Sequence, residues 1–525
     1  MARLAGACVF AALLLAIALL FDACGQAGIP SAAAATSITY SEAILTNVYT
    51  LGAPESPDAA SIATAMAGPA ALVLPAAYAG SPPPPSSTGV NLLDFRGALP
   101  SLAVSVATFG AVGDGVTDDT AAIQRALDAG PPARPFVYFP PGVYLISAEL
   151  FVHSGTVVLG AGPALTTLRL AADAPAPNDI YYSMFQCAAL PCANIGFDDI
   201  TLDGNRQNQA SVLFGDVEFG TTHLGAEGSG PFEMRDCVVM DSPSVPVDAS
   251  DAAGVTFAYN QFSNTGNDGP TSLYDPGSTT PYFTTDAGAS LRCSGCTGVT
   301  VTGNAITGTH TGAVAIEVGS SAEFSVSANT VNGAGVCIDV GAATHGTVGG
   351  NTCSAVTGGL DCESNTANVT VQNNTFISVA GPPPTSYGMF CLAPEAGPVD
   401  FVDNTVSGFS QGVYLEGAQG VLLSGGAISG AQGSGVYTVS GSGAAVTGLQ
   451  ISNVDIHDNA QAGVAQGDGI TLGPVTTGAS ITGVTISGPQ QRCGIDEGLN
   501  STGNVFSNNQ VSPGVLGALC LNNPS

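Results

Sequence analysis

A repeated asparagine constrains the fold of this chain more than any other feature. Six asparagines each open a similar short apolar segment, and they are Asn260, Asn304, Asn329, Asn351, Asn374 and Asn404. Most successive members lie 22 to 30 residues apart. A period of about 20–50 residues is the signature of a solenoid, in which each repeat adds one coil to a continuous core. The spacing therefore predicts one long repetitive structure.

One interval in the series is longer, because 44 residues separate Asn260 from Asn304. We interpret the excess as an inserted loop of about twenty residues, and long loops on rigid scaffolds often carry or border a site. The loop contains four residues that are candidates for ligand contacts, namely Tyr274, Asp275, Tyr282 and Asp286.

The charge of the chain excludes one class of partner. The formal net charge is −31, and the nine residues counted as Lys or Arg are all arginines. Nucleic-acid backbones are bound by clustered basic residues, so we do not expect a nucleic-acid partner. With 45% hydrophobic and 9% charged residues, the chain can form a large core.

The first hundred residues predict an exported protein on a tether. Residues 1–27 combine Arg3 with a following apolar run and small residues, which is typical of an export signal and too short for a transmembrane helix. Cys24 allows a lipoprotein signal, and a lipid there is the one membrane attachment that we expect. Residues 28–100 are rich in Ala, Pro and Ser and predict an extended tether. A secreted or cell-surface location follows.

Eleven of the 13 cysteines follow the signal, and an exported protein allows them to pair. The spacing favours two bridges, Cys187 with Cys192 and Cys493 with Cys520. The "CSGC" segment at Cys293 could instead hold a metal, although a second pair at zinc-ligand spacing is missing. The odd number leaves at least one thiol that is free or paired outside the chain.

The segment after the tether carries a recognisable motif. It reads "FGAVGDGVTDDTAAIQRA" over residues 109–126 and "FPPGVY" over residues 139–144. The pattern predicts a strand, a glycine-rich turn and a helix with Asp118 as its N-cap and Gly130 at its end. The apolar stripe of that helix is predicted to comprise Ala122, Ile123, Ala126 and Leu127.

This segment resembles the opening of the pectate-lyase superfamily, and in particular its rhamnogalacturonase- and epimerase-like proteins. The resemblance covers about fifty residues closely and implies an all-β fold, a right-handed parallel β-helix with a short N-terminal capping α-helix. Together with the asparagine period, it predicts one β-helix over residues 101–525. It also implies that Asp114, Asp118 and Asp119 are structural and not catalytic.

Each asparagine-marked strand is preceded by a second strand of the form G-Φ-x-Φ-x, where Φ is apolar. Alternation predicts that its third and fifth positions point outward. Aligning the segments from "SVPVD" to "GVYTV" gives two outward columns, with a slip of one residue in "ASLRC" that places Arg292 at the fifth position. The fifth position contains Asp248, Arg292, Glu317, Asp339, Glu363, Leu392, Glu416 and Val439. The third position contains Pro246, Ser290, Ala315, Cys337, Asp361, Phe390, Tyr414 and Tyr437.

The column of acids requires an explanation in a chain with so few charges. Coils of a β-helix stack ~4.8 Å apart, and two carboxylates at that distance repel by about 3 kcal/mol at an effective dielectric constant near 20. The acids could bind a cation, raise the pKa of one carboxyl for acid catalysis, or keep the sheet soluble. Arg292 within the column favours a site. The adjoining aromatics could bind sugar rings or simply stabilise the sheet as a ladder.

These observations favour a carbohydrate-active β-helix that acts on a cell-wall or surface polysaccharide. The candidate catalytic residues are Asp248, Arg292, Glu317, Asp339 and Glu363, and the candidate substrate-binding residues are Asp361, Phe390, Tyr414, Glu416 and Tyr437. Resemblance to calcium-dependent pectate lyases implies that Glu317, Asp339 and Glu363 would hold Ca²⁺ and that Arg292 would be the base.

Two alternatives to a lyase stay open. A glycoside hydrolase would use two carboxylates of the column, and a non-catalytic surface protein would use the same face to bind glycans. The polygalacturonase motifs Gly-His-Gly, Arg-Ile-Lys and Asn-Thr-Asp and the epimerase motif Asp-Pro-His are absent from the sequence. No catalytic residue can therefore be assigned by motif.

Overall fold

The computed structural model describes fourteen segments of the chain, and the statements below concern these segments. They are residues 103–130, 136–172, 181–189, 192–208, 216–218, 230–242, 245–265, 289–309, 313–363, 365–392, 398–440, 444–461, 467–512 and 517–523. The predicted export signal, the predicted tether and the predicted inserted loop with Tyr274, Asp275, Tyr282 and Asp286 lie outside them.

Three long parallel sheets run along the molecule, and each coil contributes strands to them in turn. Sheet 1 has 15 strands. They are Ala103–Ser105, Phe136–Tyr138, Val157–Leu159, Ile195–Asp198, Phe232–Arg235, Val255–Ala258, Thr297–Thr302, Ala322–Ser327, Thr344–Gly349, Ala367–Gln372, Val399–Val402, Leu422–Ser424, Gln450–Ser452, Ser480–Thr482 and Val505–Ser507.

Sheet 2 lies after the turn that follows each strand of sheet 1. Its strands are Asp114–Asp118, Gly142–Ile146, Thr166–Leu170, Thr201–Asp203, Val238–Met240, Gln261–Ser263, Ala305–Thr307, Thr330–Asp339, Thr352–Cys362, Thr375–Ser378, Thr405–Ser407, Ala427–Ser429, Asp455–His457, Thr485–Ser487 and Gln510–Val511.

Sheet 3 completes each coil from the middle of the chain onward. The two long strands Thr330–Asp339 and Thr352–Cys362 bend through both sheets, so that their C-terminal halves belong to sheet 3. The other strands of sheet 3 are Ala289–Arg292, Val314–Glu317, Tyr387–Leu392, Gln411–Glu416, Val436–Val439, Ile470–Leu472, Cys493–Gly498 and Gly517–Asn523.

Four short strands form two small parallel pairs in the first coils. Leu150–Val152 pairs with Phe185–Cys187, and Tyr181–Ser183 pairs with Asp216–Glu218. The described helices are the α-helix Thr120–Ala129 and the 3-10 helices Val106–Phe109 and Arg206–Asn208. No helix among the described residues has the length and apolarity that a membrane crossing requires. The prediction of a right-handed parallel β-helix is confirmed.

The repeated asparagines form an internal ladder at the turn between sheets 1 and 2. Each is buried, and the Nδ2 group of one donates to the Oδ1 atom of the next, as in Asn329 to Asn351 at 2.9 Å. The same Oδ1 atom accepts from the backbone N–H of Asn329 at 2.9 Å. The preceding residue, Ala328, is in the left-handed region at φ 55. The period in the sequence thus marks a turn whose buried amide groups hydrogen-bond one another from coil to coil.

The N-terminal motif has the predicted elements and one wrong assignment. Helix Thr120–Ala129 is followed by Gly130, and its predicted apolar stripe is buried. The residue before the helix is Asp119, not Asp118, and its carboxylate accepts from the N–H groups of Val112 and Gly113 at 2.7 and 3.0 Å. The Asp118 carboxylate lies one residue earlier and still accepts from the Thr120 N–H at 3.0 Å.

These contacts fit the structural role expected for the three aspartates, since Asp114 likewise accepts from Val116 N and Thr117 N at 2.9 and 2.7 Å. The helix packs its buried face into the core beside the first strand of sheet 1. Its role as a cap over the end of the β-helix stays a prediction.

Five disulfides connect neighbouring parts of the coils, and both predicted bridges are among them. The pairs are Cys187–Cys192, Cys293–Cys296, Cys337–Cys353, Cys362–Cys391 and Cys493–Cys520. The alternative of a metal at "CSGC" is therefore wrong, because its two sulfurs are bonded to each other. Cys237 is the free thiol among the described cysteines, and it is buried.

Replacement of a ladder asparagine tests the turn. Asn329→Ala removes the two hydrogen bonds that Asn329 Nδ2 donates, one to Val301 O and one to Asn351 Oδ1. It also leaves the Asn304 N–H without its acceptor. We expect a loss of about 3 kcal/mol in the free energy of unfolding, since each buried polar group left unpaired costs about 1–3 kcal/mol. The matched control is Asn332→Ala, because Asn332 is exposed on the same strand. Equal urea denaturation midpoints for the two variants would contradict the ladder's role.

Candidate functional site

The first part of one predicted outward column and the last part of the other form one continuous column on sheet 3. The observed register pairs Asp339 with Asp361, and Asp361 with Phe390. We call this column the outer ladder. Its members are Asp248, Arg292, Glu317, Asp339, Asp361, Phe390, Tyr414, Tyr437, Thr471, Asp496 and Cys520. Along the outer ladder, the charged residues are thus followed directly by the aromatic residues.

The register differs from the predicted one by two residues in the early repeats. The predicted alignment used glycine as its first position, but the corners of the early coils hold a small side chain instead of glycine. Ser290, Ala315 and Cys337 are fully buried where an outward direction was predicted, and glycines such as Gly388 and Gly412 occupy the later corners. A Cβ atom at Gly388 would lie 2.1 Å from the Val406 side chain of sheet 2, so this later corner requires glycine, whereas the earlier corners hold a small side chain.

The predicted acid column is consequently interrupted after Asp339, and the prediction that Glu363 and Glu416 continue it in line is wrong. Glu363 does not stack on Asp339; its Cβ atom lies beside Gly341, 3.6 Å from where a Cβ there would be. Glu416 pairs with Leu392 and Val439 as the alignment predicted, but it does not lie in line with Asp339. Both glutamates belong to a second outward column, two residues beyond the outer ladder on each strand.

An ion pair occupies the first part of the outer ladder. Arg292 Nε lies 2.9 Å from Glu317 Oε2, and the two side chains are 16% and 19% exposed. Asp248, on the preceding coil, accepts from the Ser250 N–H at 2.9 Å through Oδ1. The guanidinium group predicted to be a base is therefore engaged as a cation, and a hydrogen-bonded, charged guanidinium is a poor proton acceptor.

Asp361 has the most perturbed environment on this face. Burial raises its pKa to about 8, with smaller contributions from the charges of Asp339 and Glu363. Its Oδ1 atom is buried and has no hydrogen-bond partner among the described residues. Phe390 lies on its other side in the ladder. Asp339, by contrast, accepts a hydrogen bond from the Gly341 N–H at 2.7 Å. One carboxyl of the pair is thus protonated near neutral pH beside another that acts as an acceptor.

The aromatic part of the outer ladder is a stack of rings. Tyr414 stacks on Tyr387 and on Tyr437, with centroid distances of 4.5 and 5.6 Å, and Phe390 lies 5.6 Å from Tyr414. The faces of Tyr414 are therefore occupied by neighbouring rings, which leaves its edge and hydroxyl for a ligand. Burial and the charge of Glu416 raise the pKa of Tyr414 to about 12, so its hydroxyl stays a donor.

A polar network at the far end of the ladder was missed by the sequence reasoning. Arg492 contacts Asp468 through two nitrogens, at 3.2 and 2.9 Å, and also contacts Asp496. Asp468 accepts from Thr471 Oγ1 at 3.0 Å. The segment "GITLG" carries the same G-Φ-x-Φ-x pattern as earlier repeats, and "GIDEG" departs from it at Glu497; the first of these was the signal that could have extended the column.

A second group of acids lies on sheet 1, away from the outer ladder. Asp198 and Glu233 are only 3% and 5% exposed, and Glu233 pairs with Arg235. Burial is the main cause that raises the pKa of Asp198, Glu233 and Asp236, the last to about 6. Their burial makes them poor candidates for contact with a polymer.

The carboxylates predicted to bind Ca²⁺ do not converge. The group of three possible ligands that the described residues bring within 4.8 Å of one another is Cys493, Asp496 and Cys520, whose two sulfurs form a disulfide. Of the predicted ligands, Glu317 is paired with Arg292 and Glu363 is displaced from the column. A calcium ion needs several ionised or carbonyl oxygens at 2.3–2.6 Å, so we derive no chemical step through calcium.

Two family models match parts of the chain. Residues 103–186 match "Rhamnogalacturonase A/epimerase, pectate lyase-like", which confirms the resemblance seen in the N-terminal motif. Residues 263–463 match "Periplasmic copper-binding protein (NosD)". The six cysteines in this second range are all in disulfides, and the three-ligand group described above lies outside it. The described residues therefore do not fit a copper site of the cysteine type.

The known proteins with similar sequence or structure include an epimerase, a bacteriophage protein and a surface adhesin. Mannuronan C5-epimerase AlgE5 of Azotobacter vinelandii is 37% identical over 119 residues, which cover 21% of this chain and 12% of that protein. The N-terminal fragment of bacteriophage phi29 gene product 12 has a TM-score of 0.55 at 16% identity, covering 79% of this chain and 72% of that one.

A surface adhesin of Streptococcus pneumoniae, PfbA, has a TM-score of 0.50 at 15% identity, covering 70% of this chain and 91% of that one. The two structural similarities support the fold alone. The matched segment is a small part of the epimerase, so activity and substrate must be argued from this chain's own residues.

The pKa of Asp361 can be tested through stability. Because its pKa is higher in the folded protein than the ordinary 3.8, its stabilising contribution is complete below about pH 4 and is lost as the pH rises through about 8. Asp361→Asn keeps the shape and cannot ionise. We expect the variant to match the parent near pH 4 and to exceed its free energy of unfolding by about 1 kcal/mol or more near pH 9. A parallel pH dependence of the two proteins would contradict the raised pKa.

Proposed function

We propose that this protein is a glycoside hydrolase of the cell surface or the extracellular space, and that it cleaves a polysaccharide on the outer face of sheet 3. One observation carries the proposal. Asp339 and Asp361 are register neighbours, and the pKa of Asp361 is about 8. A carboxyl that keeps its proton near neutral pH, with a second carboxyl beside it, is the arrangement that acid-assisted glycoside cleavage requires.

The roles follow from the protonation states. Asp361 donates its proton to the glycosidic oxygen as the bond between that oxygen and the anomeric carbon breaks. The Asp339 carboxylate attacks the anomeric carbon and forms a glycosyl ester. Water then hydrolyses the ester, and Asp361, now ionised, takes the proton from that water. Adjacent strands lie ~4.8 Å apart, close to the ~5–5.5 Å between the carboxyls of retaining enzymes. We therefore expect the anomeric configuration to be retained.

The ion pair argues against the lyase alternative. A β-elimination needs a base that is neutral before it takes the proton, whereas Arg292 bonds the Glu317 carboxylate at 2.9 Å. In the hydrolase, Arg292 and Glu317 fix the coil next to Asp339, to which Glu317 is paired in register. They are positioning residues, and Asp248 continues the same face.

Substrate binding is proposed along the aromatic stack. The edges and hydroxyls of Tyr387, Tyr414 and Tyr437 follow Asp361 on successive coils. Hydroxyl groups in a row, with Glu416 beside them, can donate to and accept from the hydroxyls of a sugar chain. The polymer would then lie parallel to the axis of the β-helix, with its scissile bond at Asp361.

A glycan-binding surface protein without catalytic activity is the second candidate. The observation that favours it is the stacking of the aromatic rings on one another, which also occurs in ladders that only stabilise a sheet. PfbA, which has a similar fold, is a surface adhesin. The predicted export signal and tether suit either candidate.

The acid role of Asp361 gives a kinetic prediction. Release of reducing ends is measured over a panel of neutral, acidic and amine-bearing polysaccharides. We expect Asp361→Asn and Asp339→Asn each to lower kcat by about 10²-fold or more, the usual contribution of a positioned acid or nucleophile partner. The parent's rate should fall above about pH 8, where Asp361 loses its proton.

The matched control for these variants is Asp455→Asn, which removes one exposed carboxylate from sheet 2. It should leave kcat unchanged. Full activity of Asp361→Asn would refute the hydrolase mechanism. A parent that binds a glycan but cleaves none of the panel would instead support the non-catalytic alternative.

Calcium provides an independent test of the lyase alternative. A ligand at 100 times its Kd stabilises a folded protein by about 2.7 kcal/mol, which is readily measured as a rise in Tm. Because Glu317 forms an ion pair with Arg292 and Asp361 is protonated, we expect millimolar Ca²⁺ to leave Tm unchanged. A rise in Tm that Asp339→Asn abolishes would show a calcium site and revive the lyase.

A further inference from the structure

We propose that the last two described strands of sheet 3 carry a latent metal site. In it, Cys493, Asp496 and Cys520 bind Zn²⁺ once a thiol reductant has opened the Cys493–Cys520 disulfide. The bound ion then replaces the disulfide as the link between the two strands. The proposal is independent of the proposed hydrolase. It is carried by three converging ligand groups, by a buried carboxylate oxygen without a partner, and by the partial exposure of one sulfur.

The three ligand groups converge at the end of the outer ladder. The sulfurs of Cys493 and Cys520 and a carboxylate oxygen of Asp496 all lie within 4.8 Å of one another. Asp496 and Cys520 are register neighbours on the strands Cys493–Gly498 and Gly517–Asn523, so strand pairing places their side chains beside each other. Among the described residues, this is the one group of three possible metal ligands at such distances.

One oxygen of the Asp496 carboxylate is buried without a partner. The Asp496 side chain is 1% exposed, and Arg492 contacts its Oδ2 atom in an ion pair. The Oδ1 atom has no hydrogen-bond partner among the described residues. Buried polar atoms in proteins are nearly always paired, and an exception calls for an ion or a water molecule that the atom can bind. This oxygen therefore points to a ligand independently of the nearby sulfurs.

The surroundings orient two of the three ligands. Arg492 contacts both Asp496 and Asp468, and Asp468 Oδ1 accepts from the Cys493 N–H at 2.8 Å. Outer-shell partners of this kind fix the direction of metal ligands and tune their affinity. The guanidinium charge of Arg492 also offsets part of the negative charge that two thiolates and a carboxylate bring together.

The set of donor atoms selects the ion. Zn²⁺ accepts thiolate sulfur at about 2.3 Å and carboxylate oxygen at about 2.0–2.2 Å, and it takes water as a fourth ligand where a position is open. Ca²⁺ and Mg²⁺ prefer oxygen ligands alone, and Cu(I) is favoured by soft sulfur ligands rather than by a carboxylate. Because Cys520 is partly exposed, solvent can supply the fourth ligand.

Reduction of the disulfide is the step that creates the site. One thiolate of an external dithiol attacks Cys520 Sγ, the bond between the two cysteine sulfurs breaks, and Cys493 leaves as a thiolate. The second thiol of the reagent then attacks the reagent sulfur of the mixed disulfide. This releases Cys520 and leaves the reagent oxidised as a cyclic disulfide. Zn²⁺ binds the two cysteines as thiolates, and their two protons pass to solvent.

Exposure makes this disulfide one of two that a reductant can reach under native conditions. Cys520 and Cys187 are partly exposed, whereas the other three bridges join cysteines that are each at most 1% exposed. The rate of thiol–disulfide exchange depends on access to a sulfur. The Cys187–Cys192 bridge is the matched control, because the described residues place no group of three possible ligands around it.

Metal titration of the mildly reduced full chain tests the proposal. The folded chain is treated with a dithiol, separated from the reagent in the absence of oxygen, and titrated with Co²⁺ and then with Zn²⁺. Co²⁺ serves as the spectroscopic probe, since thiolate ligands give it a charge-transfer band. We expect the reduced chain to bind one Co²⁺ with this band, and Zn²⁺ to displace it. Zn²⁺ should raise the Tm of the reduced chain, because it binds the folded state. The oxidised chain should show no band.

Three variants locate the ligands. Asp496→Asn keeps both sulfurs and should raise the Kd for Zn²⁺ by at least about tenfold, the smallest usual cost of losing even an outer-shell partner. The double variant Cys187→Ser, Cys192→Ser removes the other accessible disulfide and should bind as the parent does. The double variant Cys493→Ser, Cys520→Ser removes both sulfur ligands and should show no band, which keeps the test decisive where Asp496→Asn does not fold.

The contrary outcomes are equally clear. A reduced parent that holds no more thiolate-bound metal than the oxidised parent would overturn the proposal, and so would an Asp496→Asn variant with the parent's affinity. A band that persists without Cys493 and Cys520, or one that disappears without Cys187 and Cys192, would place the metal elsewhere. A reduced chain that unfolds and is not restored by Zn²⁺ would also overturn the proposal.

Discussion

Backbone pairing between successive coils is the constraint on which the rest of this structure depends. Parallel strands ~4.8 Å apart place residues of the same register directly above one another, so similar side chains accumulate in columns. Inside, the amides of Asn304, Asn329 and Asn351 satisfy one another's hydrogen bonds because they are stacked. Outside, Asp339 and Asp361 are stacked by the same pairing and repel each other. One geometric rule thus produces both a stabilising ladder and a carboxyl with an altered pKa.

The chemistry of the outer ladder comes from the order of its members. A carboxyl stacked between two charged residues of the ladder would be solvated and strongly repelled. A carboxyl stacked between two aromatic residues would have no partner group. Asp361 lies at the boundary, with Asp339 on one side and Phe390 on the other. Burial and a neighbouring negative charge both favour its protonated form. The boundary between the charged and aromatic parts of the ladder is therefore the place where the proposed acid catalysis and the proposed polymer binding would adjoin.

Much of the fold was predictable because its signals are local. The asparagine period, the glycine-rich turn before helix Thr120–Ala129 and the short spacing of Cys187 and Cys192 all act within one coil or between adjacent coils. Predictions that needed finer geometry were less reliable. The residue before the helix is Asp119 because the Asp119 carboxylate closes the preceding turn. The "CSGC" cysteines bond to each other rather than hold a metal.

By itself, the sequence determined that sheet 3 alternates inward and outward residues, and that acids and aromatics lie on its outer side. Only the tertiary structure decided which residues of adjacent coils stack on one another. A slip of one residue would turn the apolar side chains outward and is excluded by the pattern, but a slip of two residues keeps every side chain on its face. Because the early corners hold Ser290, Ala315 and Cys337 where the later corners hold glycine, nothing local excluded that slip. Packing of the corner against sheet 2 fixed the register, and with it Asp361, rather than Glu363, as the neighbour of Asp339.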